Sequence, residues 1–116
     1  QWLVPPVRYE ECYFLKDACE VRREVRLPLV YVGGAASRAG IDAVLSRGFD
    51  AVAMARALIL DPTFVNRLAA EEGLTSGCDH CNYCAARIYT TSMACHHRDP
   101  PPLALRRHLV IEGAGQ

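Results

Sequence analysis

Two groups of residues in this chain have the types and spacing to do chemistry. The first is a run of four cysteines, Cys78, Cys81, Cys84 and Cys95, spaced C-x2-C-x2-C-x10-C. Thiolates two residues apart can converge on one metal, because a tight turn points both sulfurs inward. Four of them suit an iron–sulfur cluster or a structural zinc ion, and C-x2-C-x2-C is itself a ferredoxin-type run. The same residues also read as free buried thiols, or as the remnant of a site. His80, His96 and His97 lie beside them in sequence and permit a mixed cysteine and histidine zinc site. Asp79 and Asn82 read as cap or turn formers, and Tyr83 and Tyr89 as packing residues.

The second group is suited to phosphate. PLVYVGGAAS places Gly33 and Gly34 after a short β-branched run and leads to Ser37. A glycine pair lets backbone N–H groups approach an anion without interference from Cβ, and a following helix N-terminus adds a favourable dipole. FDAVAMARALILDP then places Arg56 after a second run of the same kind. A guanidinium there offers a planar fork to the same anion. The alternative is a tight turn with an unrelated surface arginine. Ala35 and Ser37 are supporting positions.

These groups need elements to hold them. Phe14, Ala18, Val21 and Val25 recur at helical spacing and predict an amphipathic helix over Tyr13–Val25. Cys12 and Cys19 read as small core residues near one face of that pattern. Leu29–Val32 predicts a buried strand. Ser37 is a fitting N-cap for a helix over Arg38–Arg47, with Ile41, Val44 and Leu45 inward and Gly48 at its αL C-cap. Ala51–Met54 predicts the next strand. Asp61 and Pro62 announce a third helix, with Phe64, Val65, Leu68 and Ala69 inward and Gly73 at its end. Strands joined through helices by short loops imply a parallel pair with a right-handed crossover. Such a pair requires neighbours to cover both faces. Ala85–Thr91 reads as a helical turn or two, the prolines after Asp99 break regular structure, and Leu103–Ile111 reads as a short helix or strand.

The motifs VYVGGAASRAG and GFDAVAMARALILDPTFVNRL resemble the last two βα units of the old yellow enzyme family, the FMN-dependent NADH:flavin oxidoreductases and ene-reductases. GCDHCNYCAARIY with the later Cys95 is similar to its branch related to dienoyl-CoA reductases. The resemblance implies an α/β fold, namely the C-terminal part of a TIM (β/α)8 barrel followed by a Cys-rich extension. Residues 1–77 would belong to the barrel, 78–98 to the Cys-rich segment and 99–116 to a Pro-rich tail. Such barrels take about 250 residues, so the chain reads as a fragment that is inactive and marginally folded alone.

The resemblance further implies an oxidoreductase in which NAD(P)H reduces FMN and the flavoprotein reduces an activated C=C bond in a small enone or enoyl substrate. Gly33, Gly34 and Arg56 then fall where the family holds the FMN phosphate. Cys78, Cys81, Cys84 and Cys95 fall where its branch holds an iron–sulfur cluster, with zinc the second choice. The chain departs from the pattern twice. Many relatives have Gly where Ala55 stands, and cluster-binding relatives usually have one more residue between the second and third cysteine. The substrate-binding and proton-donating residues of the family come from earlier strands, so no catalytic residue is assigned. The alternative function is a small Cys/His metal-binding or interaction module without catalysis.

Composition narrows the field in the same direction. The 116 residues are 51% hydrophobic and 22% charged, a globular balance. A formal net charge of zero gives no reason to expect nucleic acid or an anionic membrane as partner. The apolar runs are too short and too interrupted to span a bilayer. Nothing in the sequence points to secretion, and closely spaced C-x-x-C pairs favour metal or redox chemistry in the cytoplasm over a disulfide framework.

Overall fold

The computed structural model describes residues 9–88 and 92–100. Its elements run α1 (Leu15–Glu24), β1 (Val30–Val32), α2 (Arg38–Leu45), β2 (Ala51–Ala53), α3 (Arg56–Leu60), α4 (Phe64–Ala70) and α5 (Tyr83–Arg87). The expected features over 103–111 and the position of Tyr89 lie outside the described residues. Among the described residues no helix is long and apolar enough to cross a membrane.

The strands are parallel, with Val30 opposite Ala51, Tyr31 opposite Val52 and Val32 opposite Ala53. Tyr31 is 2% exposed and packs with Leu15, Val44 and Phe49, joining α1 and α2 to one face of the sheet. A second cluster, Ala57, Phe64 and Leu68, joins α3 to α4, with Ile41 and Met54 against it. The opposite face of β1 is open. Val30 and Val32 remain 61% and 64% exposed.

Local signals explain most boundaries. The Ser37 hydroxyl accepts from the Gly40 N–H, the N-cap bond its side chain is suited to make. Gly48 ends the α2 turn at φ 89, a conformation that glycine adopts without a Cβ penalty. Three expectations need correction. The inner face of α1 carries Leu15, Ala18 and Cys19, while Phe14 and Val21 are about half exposed. Cys12 precedes that helix in a left-handed turn at φ 57, so it is not on the helical face. The third correction concerns the helix at Asp61 and Pro62, which is preceded by α3 starting directly at Arg56. There the Asp61 carboxylate folds into a turn, accepting from the Thr63 N–H and hydroxyl, and α4 begins one residue later. Of its expected inner residues only Phe64 and Leu68 are buried; Val65 and Ala69 are exposed.

One tie holds the C-terminal stretch to the loop after β1, and a second closes that stretch on itself. Ser76 N–H donates to the Ala36 carbonyl at 2.7 Å, beside a bridge between Ser37 and Thr75. Arg87, 5% exposed, donates to both the carbonyl and the carboxylate of Asp99 at 3.0 Å. The first tie brings residues 76–80 over the loop after β1. The second folds the stretch after Cys95 back onto α5.

Candidate functional site

β1 and β2 end side by side, so the loops that leave them share one rim. A cavity of about 140 Å³ lies there. Gly33, Gly34 and Ala35 line it from the first loop, Met54, Ala55 and Arg56 from the second, and Tyr13, Ser76 and His80 complete it. The structure therefore brings together the three residues that the sequence singled out for phosphate.

The glycine loop is built for close approach. The buried Tyr31 hydroxyl donates to the Gly33 carbonyl at 2.8 Å and accepts from the Phe14 N–H. A Cβ on Gly33 would lie 2.7 Å from that hydroxyl. Gly34 has φ 74, and a Cβ there would lie 2.5 Å from the Tyr13 ring. Only glycine fits both the backbone conformation and the space at position 34. The Gly34 carbonyl is held by the Cys12 N–H and the Tyr9 hydroxyl. Burial, with the adjacent Glu11 and Cys12, pushes the Tyr9 hydroxyl up from its usual range.

Arg56 is held in place rather than left to roam. Its Nη1 donates to Asn82 Oδ1 at 2.8 Å and its Nη2 to the Tyr13 hydroxyl at 2.9 Å. A guanidinium has five N–H donors, so these two bonds orient it and leave others for an anion. One part of the expected anion site has a different occupant. The Glu11 carboxylate accepts from the Ala36 N–H at 2.9 Å and the Ser37 hydroxyl at 2.8 Å, and so occupies the N-terminal end of α2. The helix end is already served by a carboxylate, which leaves anion binding to the glycine loop and Arg56.

Spacing gave no sign of the part played by His80. It lines the cavity and stacks on Tyr9 with ring centroids 3.4 Å apart. Both ring nitrogens are buried and neither has a hydrogen-bond partner. Burial, reinforced by the charge of Arg56, lowers its pKa and keeps the imidazole neutral. Its backbone is left-handed at φ 56, as is that of Asn82 at φ 59. Non-glycine residues in this conformation are uncommon, and the pair here carries the two side chains that meet the cavity and Arg56.

Comparison with known proteins adds a chemical class. Over 88 residues, 76% of this chain, it is 42% identical to the 4,4'-dithiodibutanoate disulfide reductase of Rhodococcus erythropolis. The chain is similar to an oxidoreductase. It spans 22% of that relative's length. No protein-family model matches the chain, and no solved structure does.

The cysteines form a looser group than a single ion requires. All six are free thiols, with Cys84 buried, Cys81 exposed and Cys78 and Cys95 between. Among the described residues no three of the four clustered sulfurs gather within 4.8 Å of one another. Sulfurs around one zinc ion lie closer than that, so the expected convergence of all four on one ion is not the arrangement found. They remain electrostatic neighbours, since Cys78 acts on Cys81, Cys84 acts on Cys78, and Cys95 acts on Cys84. An iron–sulfur cluster is several atoms across and is held by more widely separated thiolates, so this geometry does not bear on it. Burial pushes the Cys78 and Cys84 thiols up, and pushes Cys81 up to about 12 with help from the Asp79 carboxylate.

The ligand atoms that do gather belong to Asp79, His96 and His97, all within 4.8 Å. Asp79 accepts from the Cys81 N–H at 3.1 Å, which closes the turn expected at this position. Asn82 starts α5 without capping it, because its side chain is spent on Arg56. Tyr83 is buried as expected, with its ring 4.9 Å from that of His96.

Proposed function

We propose that this chain carries the phosphate-binding part of an FMN-dependent oxidoreductase that uses NAD(P)H. The observation that carries the reading is the shared cavity of Gly33, Gly34 and Arg56 at the C-terminal ends of two adjacent parallel strands. This is where (β/α)8 barrels place their phosphate sites. The residues fit a phosphate by three criteria. The backbone at positions 33 and 34 leaves no room for Cβ, a guanidinium is pre-oriented, and the site sits between two loops. At about 140 Å³ the cavity is smaller than the roughly 300–1,000 Å³ of whole-ligand pockets. The flavin ring would therefore lie beyond it, over strands outside this chain. The open face of Val30 and Val32 supports the same barrel reading, because parallel strands are covered on both faces.

When bound, FMN supplies the carrier that takes two electrons from NAD(P)H and passes them to the substrate. The residues here would anchor it. Arg56 would offer its remaining N–H groups to the phosphate, and Tyr13 and Asn82 would fix their direction. His80 would present a neutral imidazole to the bound cofactor, satisfying a nitrogen that is otherwise buried without a partner.

The substrate class that goes with the family resemblance is a small molecule with an activated C=C bond, which accepts a hydride and a proton. The reductase relative favours a second reading, a low-molecular-weight organic disulfide that is reduced to two thiols. In this chain that reduction would run through the flavin. Cys78, Cys81 and Cys84 are all shifted toward the protonated thiol, whereas thiol–disulfide exchange needs a thiolate. A cytoplasmic setting goes with either substrate. The test is the full-length protein purified and examined by absorption. Bound flavin that bleaches anaerobically with NAD(P)H and recovers on adding an enone or 4,4'-dithiodibutanoate supports the proposal. A protein that neither retains nor binds FMN overturns it.

A further inference from the structure

We propose that Asp79, Cys81, His96 and His97 form a mixed-donor site for one divalent transition-metal ion of the zinc type. The proposal stands on ligand geometry alone and does not depend on the flavin reading. Asp79 Oδ2 lies 2.9 Å from His97 Nε2, and Cys81 Sγ lies 3.4 Å from His96 Nδ1. Donor atoms around a tetrahedral zinc ion, at bonds of 2.0–2.3 Å, are separated by roughly 3.3–3.7 Å. The donors of Asp79, His96 and His97 already gather within 4.8 Å of one another, and the Cys81 sulfur, outside that group but beside His96, would turn in as the fourth ligand.

The donor set also selects the ion. One carboxylate and one thiolate would balance a divalent charge, and two imidazoles complete four ligands without adding charge. Nitrogen and sulfur donors suit zinc and its neighbours, while calcium and magnesium require oxygen. The backbone is prepared for it. Asp79 Oδ1 is tied to the Cys81 N–H, which leaves Oδ2 facing His97. His96 and His97 come back to this loop after α5, with their rings 3.9 Å apart and Asp99, two residues on, pinned by Arg87.

An ion here would cross-link residues 79–81 to residues 96–97. That loop also carries His80 and Asn82, one lining the cavity and the other holding Arg56. The metal would therefore act as a structural clamp on one wall of the cavity. It would assign Cys81 to a site separate from Cys78, Cys84 and Cys95.

The test uses the full-length protein stripped with a chelator and titrated with Zn²⁺, then with Co²⁺ as a spectroscopic probe. The proposal expects one equivalent bound, tetrahedral Co²⁺ bands, and a sulfur-to-cobalt charge-transfer band that Cys81→Ser removes. Asp79→Asn, His97→Ala and the milder His97→Gln should each weaken Zn²⁺ binding at least tenfold, with circular dichroism confirming that the variants remain folded. Cys84→Ser and Cys95→Ser should leave it unchanged. Two results would overturn the proposal: no binding at micromolar Zn²⁺, or binding that is lost in Cys84→Ser and Cys95→Ser but indifferent to Asp79 and His97.

Discussion

Arg56 Nη1 donates to Asn82 Oδ1 at 2.8 Å, joining the first residue of α3 to the turn between two cysteines. This bond couples the phosphate half of the site to the Cys-rich half. It also gives Asn82 a reason for its left-handed backbone at φ 59. The conformation aims the amide at Arg56 and starts α5 in the same step.

The coupling can be dissected with two substitutions. Asn82→Gly removes the amide but keeps the positive φ at no steric cost, whereas Asn82→Ala also forces a Cβ into the left-handed region. The alanine variant should be less stable than the glycine variant by about 1 kcal/mol, the cost of that conformation for a non-glycine residue. Both should weaken flavin binding to a similar extent. Equal stability of the two by denaturant titration would show that the backbone at position 82 is not held as described.

Gly34→Ala should be poorly tolerated. Its φ of 74 and the 2.5 Å approach to Tyr13 mean that the ring must move, and that ring's hydroxyl orients Arg56. We expect a loss of about 1–3 kcal/mol in stability together with weaker FMN retention, in line with strained backbone positions generally. A thermal melt and a flavin titration that both match wild type would contradict this.

Glu11 and Gly40 should behave as a coupled pair. A Cβ on Gly40 would overlap the Glu11 carboxylate that serves the Ala36 N–H. Glu11→Ala should cost about 1–2 kcal/mol by leaving that donor without its partner. Gly40→Ala should be damaging alone and much less so on top of Glu11→Ala. A double-mutant cycle reads this directly, and strict additivity would argue against the contact.

The pH dependence of the 79–82 turn follows from Asp79. Burial works to raise its pKa, but hydrogen bonds from the Cys81 thiol, His97 and the Cys81 N–H outweigh it and hold the carboxyl at about 2. A carboxyl depressed in the folded state stabilises fully above its unfolded pKa of about 3.9 and loses that contribution as pH falls through the folded value. Hydrogen exchange of the Cys81 amide should therefore stay protected above about pH 4, after allowing for intrinsic exchange, and weaken between about pH 4 and 2. Protection that is constant down to pH 2 would remove Asp79 from this role.

Cys81 supplies a chemical check. The residue is exposed, yet burial of its sulfur and the nearby Asp79 push its thiol up to about 12. Alkylation of the metal-free protein near pH 7 should be slower at Cys81 than for an ordinary free thiol with a pKa near 8.5, because so little thiolate is present. Mass spectrometry of timed iodoacetamide reactions would show it, and fast labelling would contradict it.

The sequence was most informative where local chemistry decides structure. Ser37 and Gly48 bracket α2 because one has a hydroxyl for capping and the other lacks a Cβ, and both facts are visible in the residue letters. Arg56–Leu60 was hidden for the opposite reason. RALIL is apolar enough to continue a strand, and Asp61 with Pro62 marks a helix start more strongly than Ala55 does. Gly33, Gly34 and Arg56 could be grouped because each follows a strand, and parallel neighbours place their following loops on one rim. His80 could not. Its place depends on a left-handed turn and on stacking with Tyr9 from the far end of the chain. The approach of Asp79 to His97 depends in turn on how the chain returns after α5, which residue spacing does not encode.

The central claim is that the glycine loop and Arg56 bind the phosphate of FMN, and comparing FMN with riboflavin tests it most directly. The two differ only in the phosphate. The full-length apoprotein should bind FMN more tightly than riboflavin, and Arg56→Ala should raise the FMN dissociation constant about 10- to 150-fold, the equivalent of a charge-assisted bond of roughly 1.5–3 kcal/mol. Riboflavin binding should change little in the same variant. An FMN dissociation constant that Arg56→Ala leaves unaltered, or equal losses for FMN and riboflavin, would contradict the account.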